Sequence, residues 1–306
     1  FGSSLEGIKK VFSSKTKVIV AQHSFGIPCD ILPIVEFAKQ KGVYLIEDCA
    51  LTVGSSRQQE ICGNFGDAAI FSTDHTKPIN TMIGGLVYTN SEEIEKRVRD
   101  DQANCQELST ARKMAIWYQF RLERVICNPS WYGWISILNV VFSRVLRLTC
   151  GAFLTDDYAG KEVTQQYPYP AKLPTFLAQL GLDELENWER VAEQRREHLF
   201  RFCQAWDCVK DGVSFPKAYY DREISLIPLR IVWSDSTGKY SRDVISSLVD
   251  IEGIWFTEPL ASAWAPLAEF GYVAKSCPIS ERLGQEVVNL PCLSDKKWSE
   301  LFIKNI

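Results

Sequence analysis

The chain reads as short apolar runs separated by amphipathic stretches. "KVIVAQ" (17–22) is β-branched and apolar, and the turn "HSFGIP" follows it. The next stretch, "CDILPIVEFAKQKG", puts Ile31, Ile34, Val35 and Ala38 on one helical face, with Gly42 closing the helix. Further strands are predicted at "VYLIED" (43–48), "DAAIFS" (67–72) and "GGLVYTN" (84–90). Asn90 is the expected cap of a helix beginning "SEEIEKRV". Strands apolar on both faces and alternating with helices argue for an α/β fold, a largely parallel sheet covered on both sides.

The pattern changes after residue 100. The region 100–165 is aromatic and apolar, and it is uncharged from Pro129 to Ser143. That run is shorter than the ~20 residues of a membrane span, so the expectation is a helix buried against the protein or a second subunit. Contact of 131–154 with a membrane surface is the alternative, and the sparse flanking Lys and Arg disfavour it. From 176 a long helical pattern carries Leu177, Leu180, Leu185, Trp188, Val191 and Leu199 on one face, as a connector between domains would. Beyond Asp211 come strand-like "EISLIPLRIVW", "GIWFT" and "EVVNLP" with helical "SRDVISSLVDI" and "KKWSELFIKNI". The expected layout is a large domain at 1–175 with an atypical insertion at 100–165, a connecting helix at 176–210, and a small α+β domain at 211–306.

Composition narrows the function classes. With 46% apolar and 24% charged residues over 306 positions, the chain has material for two packed domains. A formal charge of -4 with scattered Lys and Arg gives no footprint for nucleic acid. The ten cysteines lie mostly inside apolar runs with no CxxC pair, which predicts reduced core thiols and a cytoplasmic compartment. Three well-separated histidines and no Cys/His cluster in the sequence predict no metal site.

Ligands of open parallel sheets bind beyond the carboxyl ends of the strands. Asp48 closes one predicted strand, Ser72 and Lys77 follow another, and His23 lies in the turn after a third. An acid, a hydroxyl and an amine therefore face one crevice. A lysine held in a restrained, partly desolvated loop suits covalent work on a carbonyl, and an aspartate opposite it would keep a pyridine nitrogen protonated. Taken singly, each residue has a plainer reading: a loop lysine as a solvated charge, an aspartate at a strand end as a turn or cap residue, and Gly84-Gly85 as a bend.

Order and spacing together carry more. "KVIVAQHSFGIPCDILPIVEFAKQKGVYLIEDCALTVGS…GNFGDAAIFSTDHTKPINTMIGGLVYTN" resembles the DegT/DnrJ/EryC1/StrS family of pyridoxal-phosphate (PLP) sugar aminotransferases. "AQLGLDELENWERVAEQRREHL" resembles that family's interdomain helix, and "EVVNLPCLSDKKWSELFIKNI" its last strand and helix. The resemblance implies the aspartate-aminotransferase-like fold, PLP fold type I, with a mostly parallel sheet, helices on both faces and a small C-terminal domain. It implies that Lys77 is the Schiff-base lysine, that Asp48 pairs with the pyridinium nitrogen, that Ser72 contacts the phosphate and that Ala50 packs on a ring face. His23 is a further candidate for cofactor contact, and His75 and Lys172 are candidates for substrate contact. The implied reaction moves an amino group from an amino-acid donor to a keto sugar, expectedly nucleotide-linked, in a homodimer. The family's dehydratase variant carries histidine at the lysine, whereas this chain keeps Lys77.

Several positions depart from the family pattern. The resemblance implies that the sequence begins after the family's segment whose backbone amides hold the phosphate, so the expectation is a fragment, a cradle completed from elsewhere, or a cradle lost. Leu51 stands where the family places a polar residue, and "YPAKL" sets Pro170 and Lys172 where Asn and Arg are expected. "TMIGG" lacks the usual Glu before its glycines. These departures motivate a rival expectation, a non-catalytic scaffold or partner subunit that retains the fold.

Overall fold

The computed structural model describes residues 2–126, 169–206, 212–237, 256, 259 and 267–292. The chain forms two compact units, one of Phe1–Asp100, Gln179–Ala261 and Lys275–Ile306, the other of Asp101–Ala178 and Ser262–Ala274.

The first unit opens with α1 (Leu5–Val11), β1 (Val18–Gln22), α2 (Ile31–Lys41), β2 (Tyr44–Asp48), β3 (Ser56–Arg57), β4 (Glu60–Ile61), β5 (Ala68–Ser72) and β6 (Gly85–Tyr88). Helix α3 (Glu92–Asn104) follows. The central sheet has the order β1-β2-β5-β6. Strands β1, β2 and β5 run parallel, and β6 is antiparallel to β5. The antiparallel turn-back arises because 73–84 is a closed loop rather than the long crossover that a parallel return requires.

The period-2 pattern of β1 and β2 sorts their side chains onto two faces. Ile19, Ala21 and Leu45 pack against Ile31, Ile34, Phe37 and Ala38 of α2, with Leu5, Ile8 and Phe12 of the α1 region at the margin. Gly42 ends α2 in the left-handed conformation, φ 61° and ψ 40°, and its N–H reaches the carbonyls of Ala38 and Lys39, as predicted from the sequence. The opposite face differs from the expected two-sided cover. Val18, Val20, Tyr44, Ile70 and Val87 on it are 40–56% exposed among the described residues. The cap of α3 also shifts by one residue: the Ser91 hydroxyl accepts from Ile94 N at 3.4 Å, while the Asn90 side chain accepts from Tyr88 Oη at 3.0 Å. The shorter serine side chain sits where it can reach the third helical N–H.

In the second unit, β7 (Gln106–Glu107) and β8 (Ala171–Lys172) form a short parallel pair, and α4 (Thr110–Ile126) follows β7. The apolar stretch 131–154, expected as a helix buried against the protein or a second subunit with membrane-surface contact the disfavoured alternative, lies outside the described residues, as do the helices expected at 241–251 and 296–306. No helix among the described residues is long and apolar enough to cross a membrane.

The predicted long helix is two: α5 (Thr175–Glu186) and α6 (Trp188–Trp206), broken at Asn187, whose side-chain amide donates to the Asp183 carbonyl at 2.8 Å. After β9 (Val213–Ser214) the expected strand 223–233 divides into β10 (Ile224–Ser225) and β11 (Arg230–Asp235). Pro228 between them has no N–H for a ladder. Strand β11 pairs antiparallel with β9 and with β12 (Val287–Pro291), which follows α7 (Pro278–Glu286). Trp233, Val232, Val288 and Leu290 of this sheet share a core with Leu199 and Phe202 of α6. Phe25 and Ile27, from the turn after β1, enter the same core.

That turn depends on Gly26. Its φ is 89°, and a Cβ there would lie 2.3 Å from the Ile227 carbonyl oxygen and 2.8 Å from Leu229 N. Gly26→Ala is expected to destabilise the chain by about 3 kcal/mol in urea unfolding, from left-handed strain and displaced backbone; an unchanged midpoint would show that the turn can yield.

Candidate active site

The carboxyl ends of β1, β2 and β5 meet at one edge of the sheet, where the chain reverses three times. The buried side of that edge is organised by Glu47. Its side chain is fully buried. Oε2 accepts from Gly63 N at 2.8 Å and contacts His23 Nε2 at 3.1 Å, and Oε1 accepts from Phe65 N at 2.7 Å and Gly66 N at 2.8 Å. His23 Nδ1 accepts from Cys29 N at 3.0 Å, so the ring proton sits on Nε2 and is donated to Glu47. Burial by itself pushes the Glu47 carboxyl up; the hydrogen bonds from His23, Gly63 and Gly66 overcome it and hold the group below the ordinary carboxylate range.

His23 is therefore fully buried, with both ring nitrogens engaged by protein partners. It stands among the candidates for cofactor contact, and the structure places it inside the protein, on the Glu47 side of the strands. The sequence offered no Cys/His cluster, yet folding brings His23, Glu47 and Cys49 together with donor atoms within 4.8 Å of one another. The His23 and Glu47 donors are taken up by the hydrogen bonds just described, and burial pushes the Cys49 thiol far up, away from the thiolate a metal needs. Cys29 is pushed up to about 12 by burial. The described cysteines are free thiols, as expected.

One residue on from Glu47, Asp48 faces the other way. It is half-buried, and its Oδ1 accepts from Ala50 N at 3.0 Å, a turn that turns the chain out of β2. His23 N donates to the Asp48 carbonyl at 3.1 Å, which ties the end of β1 to it. In the sheet register Asp48 lies beside Ile70, two residues before Ser72, so Asp48 and Ser72 share a face. Ser72 is half-buried, and its Oγ accepts from Asp74 N at 3.4 Å. Ala50 is half-buried beside Asp48, and Leu51 is buried, its carbonyl accepting from Gly26 N at 2.8 Å.

Lys77 rides a loop closed at its base. Thr81 Oγ1 bonds Thr73 Oγ1 at 2.6 Å, Thr81 N donates to the Thr73 carbonyl at 2.8 Å, and Thr73 N donates to the Gly84 carbonyl at 3.0 Å. Within it Asp74 nucleates a turn: Oδ1 accepts from Thr76 N and Thr76 Oγ1, each at 2.7 Å, and the Asp74 carbonyl accepts from Lys77 N at 2.9 Å. Lys77 Nζ donates to Thr76 Oγ1 at 3.1 Å. Burial presses the Lys77 amine below the ordinary lysine range; Asp74 and Asp48 pull it back up, and the Arg230 guanidinium adds to the lowering. Lys77 and Asp48 thus share one electrostatic environment. His75 is exposed in the same loop, 3.8 Å from Asp74 (Nδ1 to Oδ1). Lys172 is half-buried on β8, in the second unit.

The donor set fits a group carrying an aldehyde, a basic ring nitrogen and a phosphate. It offers an amine that burial holds below the ordinary lysine range, a carboxylate within its field, and a hydroxyl on the carboxylate's face of the sheet. Sequence reasoning missed Glu47 and Arg230. An acid inside a buried apolar strand was the available signal for the first; only the fold, which brings residue 230 to residue 77, reveals the second.

Residues 3–127 match the model of the DegT/DnrJ/EryC1/StrS aminotransferase family. A GDP-perosamine synthase of Escherichia coli O157:H7 is 40% identical over 94 residues, 31% of this chain and 26% of that protein. A dTDP-4-dehydro-2,3,6-trideoxy-D-glucose 4-aminotransferase of Saccharopolyspora spinosa is 31% identical over 126 residues, 40% of this chain and 33% of that protein. The chain thus spans about a quarter to a third of the length of these curated relatives. Among solved structures, an aminotransferase from Psychrobacter cryohalolentis aligns with TM-score 0.68 at 17% identity, over 99% of this chain and 71% of that one. The aminotransferase TlmJ from Streptoalloteichus hindustanus aligns with TM-score 0.64 at 20% identity, over 98% and 67%. These likenesses show the fold, the α/β architecture of the aspartate-aminotransferase type, and the family resemblance read from residue order is shown over 3–127.

Glu47→Gln sets an amide NH2 against donors that now meet a carboxylate. The expected loss is about 3 kcal/mol near neutral pH. A depressed carboxyl contributes stability that is present above its unfolded value of about 4.3 and is lost as pH falls through the folded value. Urea unfolding of wild type and Glu47→Gln should therefore converge on acidification below about pH 4; a gap independent of pH would mean that the carboxylate charge is not what holds the loop.

Proposed function

We propose that the chain belongs to a PLP-dependent aminotransferase that moves an amino group from an amino-acid donor to a keto sugar, expectedly nucleotide-linked. The observation that supports this most is the Lys77 amine, half-buried and held below the ordinary lysine range by burial against the pull of Asp74 and Asp48, inside a stretch that matches the DegT/DnrJ/EryC1/StrS aminotransferase family. The two relatives described above are by name a sugar synthase and a sugar aminotransferase, and the substrate class is drawn from them.

In this reading Lys77 Nζ would hold PLP through its aldehyde, Asp48 would keep the ring nitrogen protonated, Ser72 would bond the phosphate, and Ala50 would lie against a ring face. When bound, PLP supplies an electron sink for charge that develops on the carbon bearing the amino group. Lys77 would then take the proton from that carbon and return it on the acceptor side, which requires an amine that is uncharged when it accepts. The closed 73–84 loop limits how far Nζ can stray from that position. His75 and Lys172 are assigned to substrate contact, and the functional unit is a homodimer.

Leu51 favours a second reading. It is 8% exposed, an apolar core residue where a polar partner for the cofactor is expected. A cofactor-binding homologue without transamination would keep the Lys77 site and lose the reaction.

Added PLP is expected to give a visible absorbance band that Lys77→Ala removes, and an amino donor should bleach the band in wild type. Activity of Lys77→Ala should fall by at least about 10²-fold, and Asp48→Asn should bind PLP yet turn over more slowly. A band that no donor bleaches would select the second reading, and no band at saturating PLP would defeat both.

A further inference from the structure

Asp74 holds Lys77 at both ends, directly at the backbone and by way of Thr76 at the tip of the side chain. Lys77 N donates to the Asp74 carbonyl at 2.9 Å. Lys77 Nζ donates to Thr76 Oγ1 at 3.1 Å, and Thr76 Oγ1 in turn donates to Asp74 Oδ1 at 2.7 Å. A hydroxyl has one proton, and here Asp74 takes it, so the Thr76 oxygen meets Nζ with a lone pair. We propose that Thr76 is a positioning residue of the Lys77 site: its hydroxyl, oriented by Asp74, fixes where the lysine amine waits for an aldehyde.

The loop around this relay is tied at several points. Asp74 Oδ1 also accepts from Thr76 N at 2.7 Å, so the carboxylate is gripped by the backbone of the residue whose hydroxyl it orients. Asp74 N donates to Ser72 Oγ at 3.4 Å, which joins the turn to the end of β5. Asn80 spans the loop: Nδ2 donates to the His75 carbonyl at 3.1 Å, and Oδ1 accepts from Met82 N at 2.7 Å. His75 N donates to the Met82 carbonyl at 3.2 Å. The backbone on either side of Thr76 is thereby fixed, and what is left to order is the lysine side chain itself, whose rotamer freedom is large. One hydrogen bond to Nζ biases that choice by about fivefold. In the uncharged amine, an N–H given to Thr76 turns the nitrogen lone pair away from the hydroxyl, where a carbonyl carbon can meet it. Attack forms the C–N bond, and the carbonyl oxygen leaves as water with the two amine hydrogens.

The inference rests on the reading of Lys77 as a lysine that bonds an aldehyde, and its first test needs no cofactor. Carbon-13 relaxation of the lysine Cε atoms is measured on the chain free of PLP, with the Lys77 signal identified by its absence from Lys77→Arg. Wild-type Lys77 should be more ordered than the exposed Lys10 and Lys15. Thr76→Val should lose that order, and Thr76→Ser, which keeps the hydroxyl, should retain it. Asp74→Asn keeps an Oδ1 acceptor for the hydroxyl and should also retain it; loss there would mean that charge attraction holds the amine, and would overturn the proposal. So would a wild-type Lys77 as mobile as the exposed lysines, or one unaffected by Thr76→Val. The second test follows the growth of the visible band after mixing with PLP. Thr76→Val should lower the first-order rate at saturating PLP about fivefold, with the half-saturating concentration unchanged and the rate restored in Thr76→Ser; an unchanged rate overturns the proposal. Thr76 is exposed, so the valine leaves the core untouched, and Thr76→Ala replaces it where circular dichroism shows a loss of structure. A missing band in wild type would defeat the aminotransferase reading separately, and the relaxation measurement would still decide whether Thr76 holds the amine.

Discussion

The hydrogen bonds converging on the Glu47 carboxylate govern everything at the carboxyl edge of the sheet. A carboxylate removed from water is tolerated only when its lone pairs are filled. Here the filling groups come from the residue after β1 and from the loop before β5. One side chain therefore fixes two chain segments relative to β2. Its neighbour Asp48 inherits that fixity, because consecutive strand residues point to opposite faces. A rigid inward anchor and a carboxylate on the opposite face are two sides of the dipeptide "ED".

A comparable economy holds at the turn after β1. The glycine that lets the chain approach Ile227 also lets Phe25 and Ile27 enter the core made by α6, β11 and β12. Arg195 and Ser55 fasten the approaching segment from its two sides. The parallel sheet and the antiparallel β11–β12 sheet are therefore joined through backbone contacts and a shared core, although some 200 residues of sequence order separate β1 from β11 on the ~3.3 Å per residue scale of extended chain. Burial dominates the electrostatics of Lys77, and Arg230, which adds a smaller lowering, arrives on β11.

Much of the central sheet was legible before any coordinates. The β-branched run 17–22, the amphipathic 31–41 helix and its closing Gly42 each carry a local signal that tertiary packing did not override. The direction of β6 was not legible, because periodicity reports which face a residue takes and not which way a strand runs. The division of 223–233 has its local signal in Pro228, which the apolar residues on either side mask. At the site, Lys77, Asp48 and Ser72 could be picked out because each follows a strand end. His23 was picked out for the same reason, yet its ring turned inward: position at a strand end does not fix side-chain direction, and a buried acid on the next strand decided it. Arg230 left no trace in the sequence near Lys77, since their proximity is a property of the fold alone.

The threonine pair at the base of the 73–84 loop has a thermodynamic consequence of its own. Thr73 and Thr81 close the loop side chain to side chain as well as through the backbone, and Asp74 then fixes the turn that carries the lysine. The conformational entropy lost in ordering that loop is incurred once, when the chain folds, and does not recur each time a ligand arrives. In the proposed function, association at Lys77 would therefore not carry the ordering entropy that a slack loop would lose at every binding event.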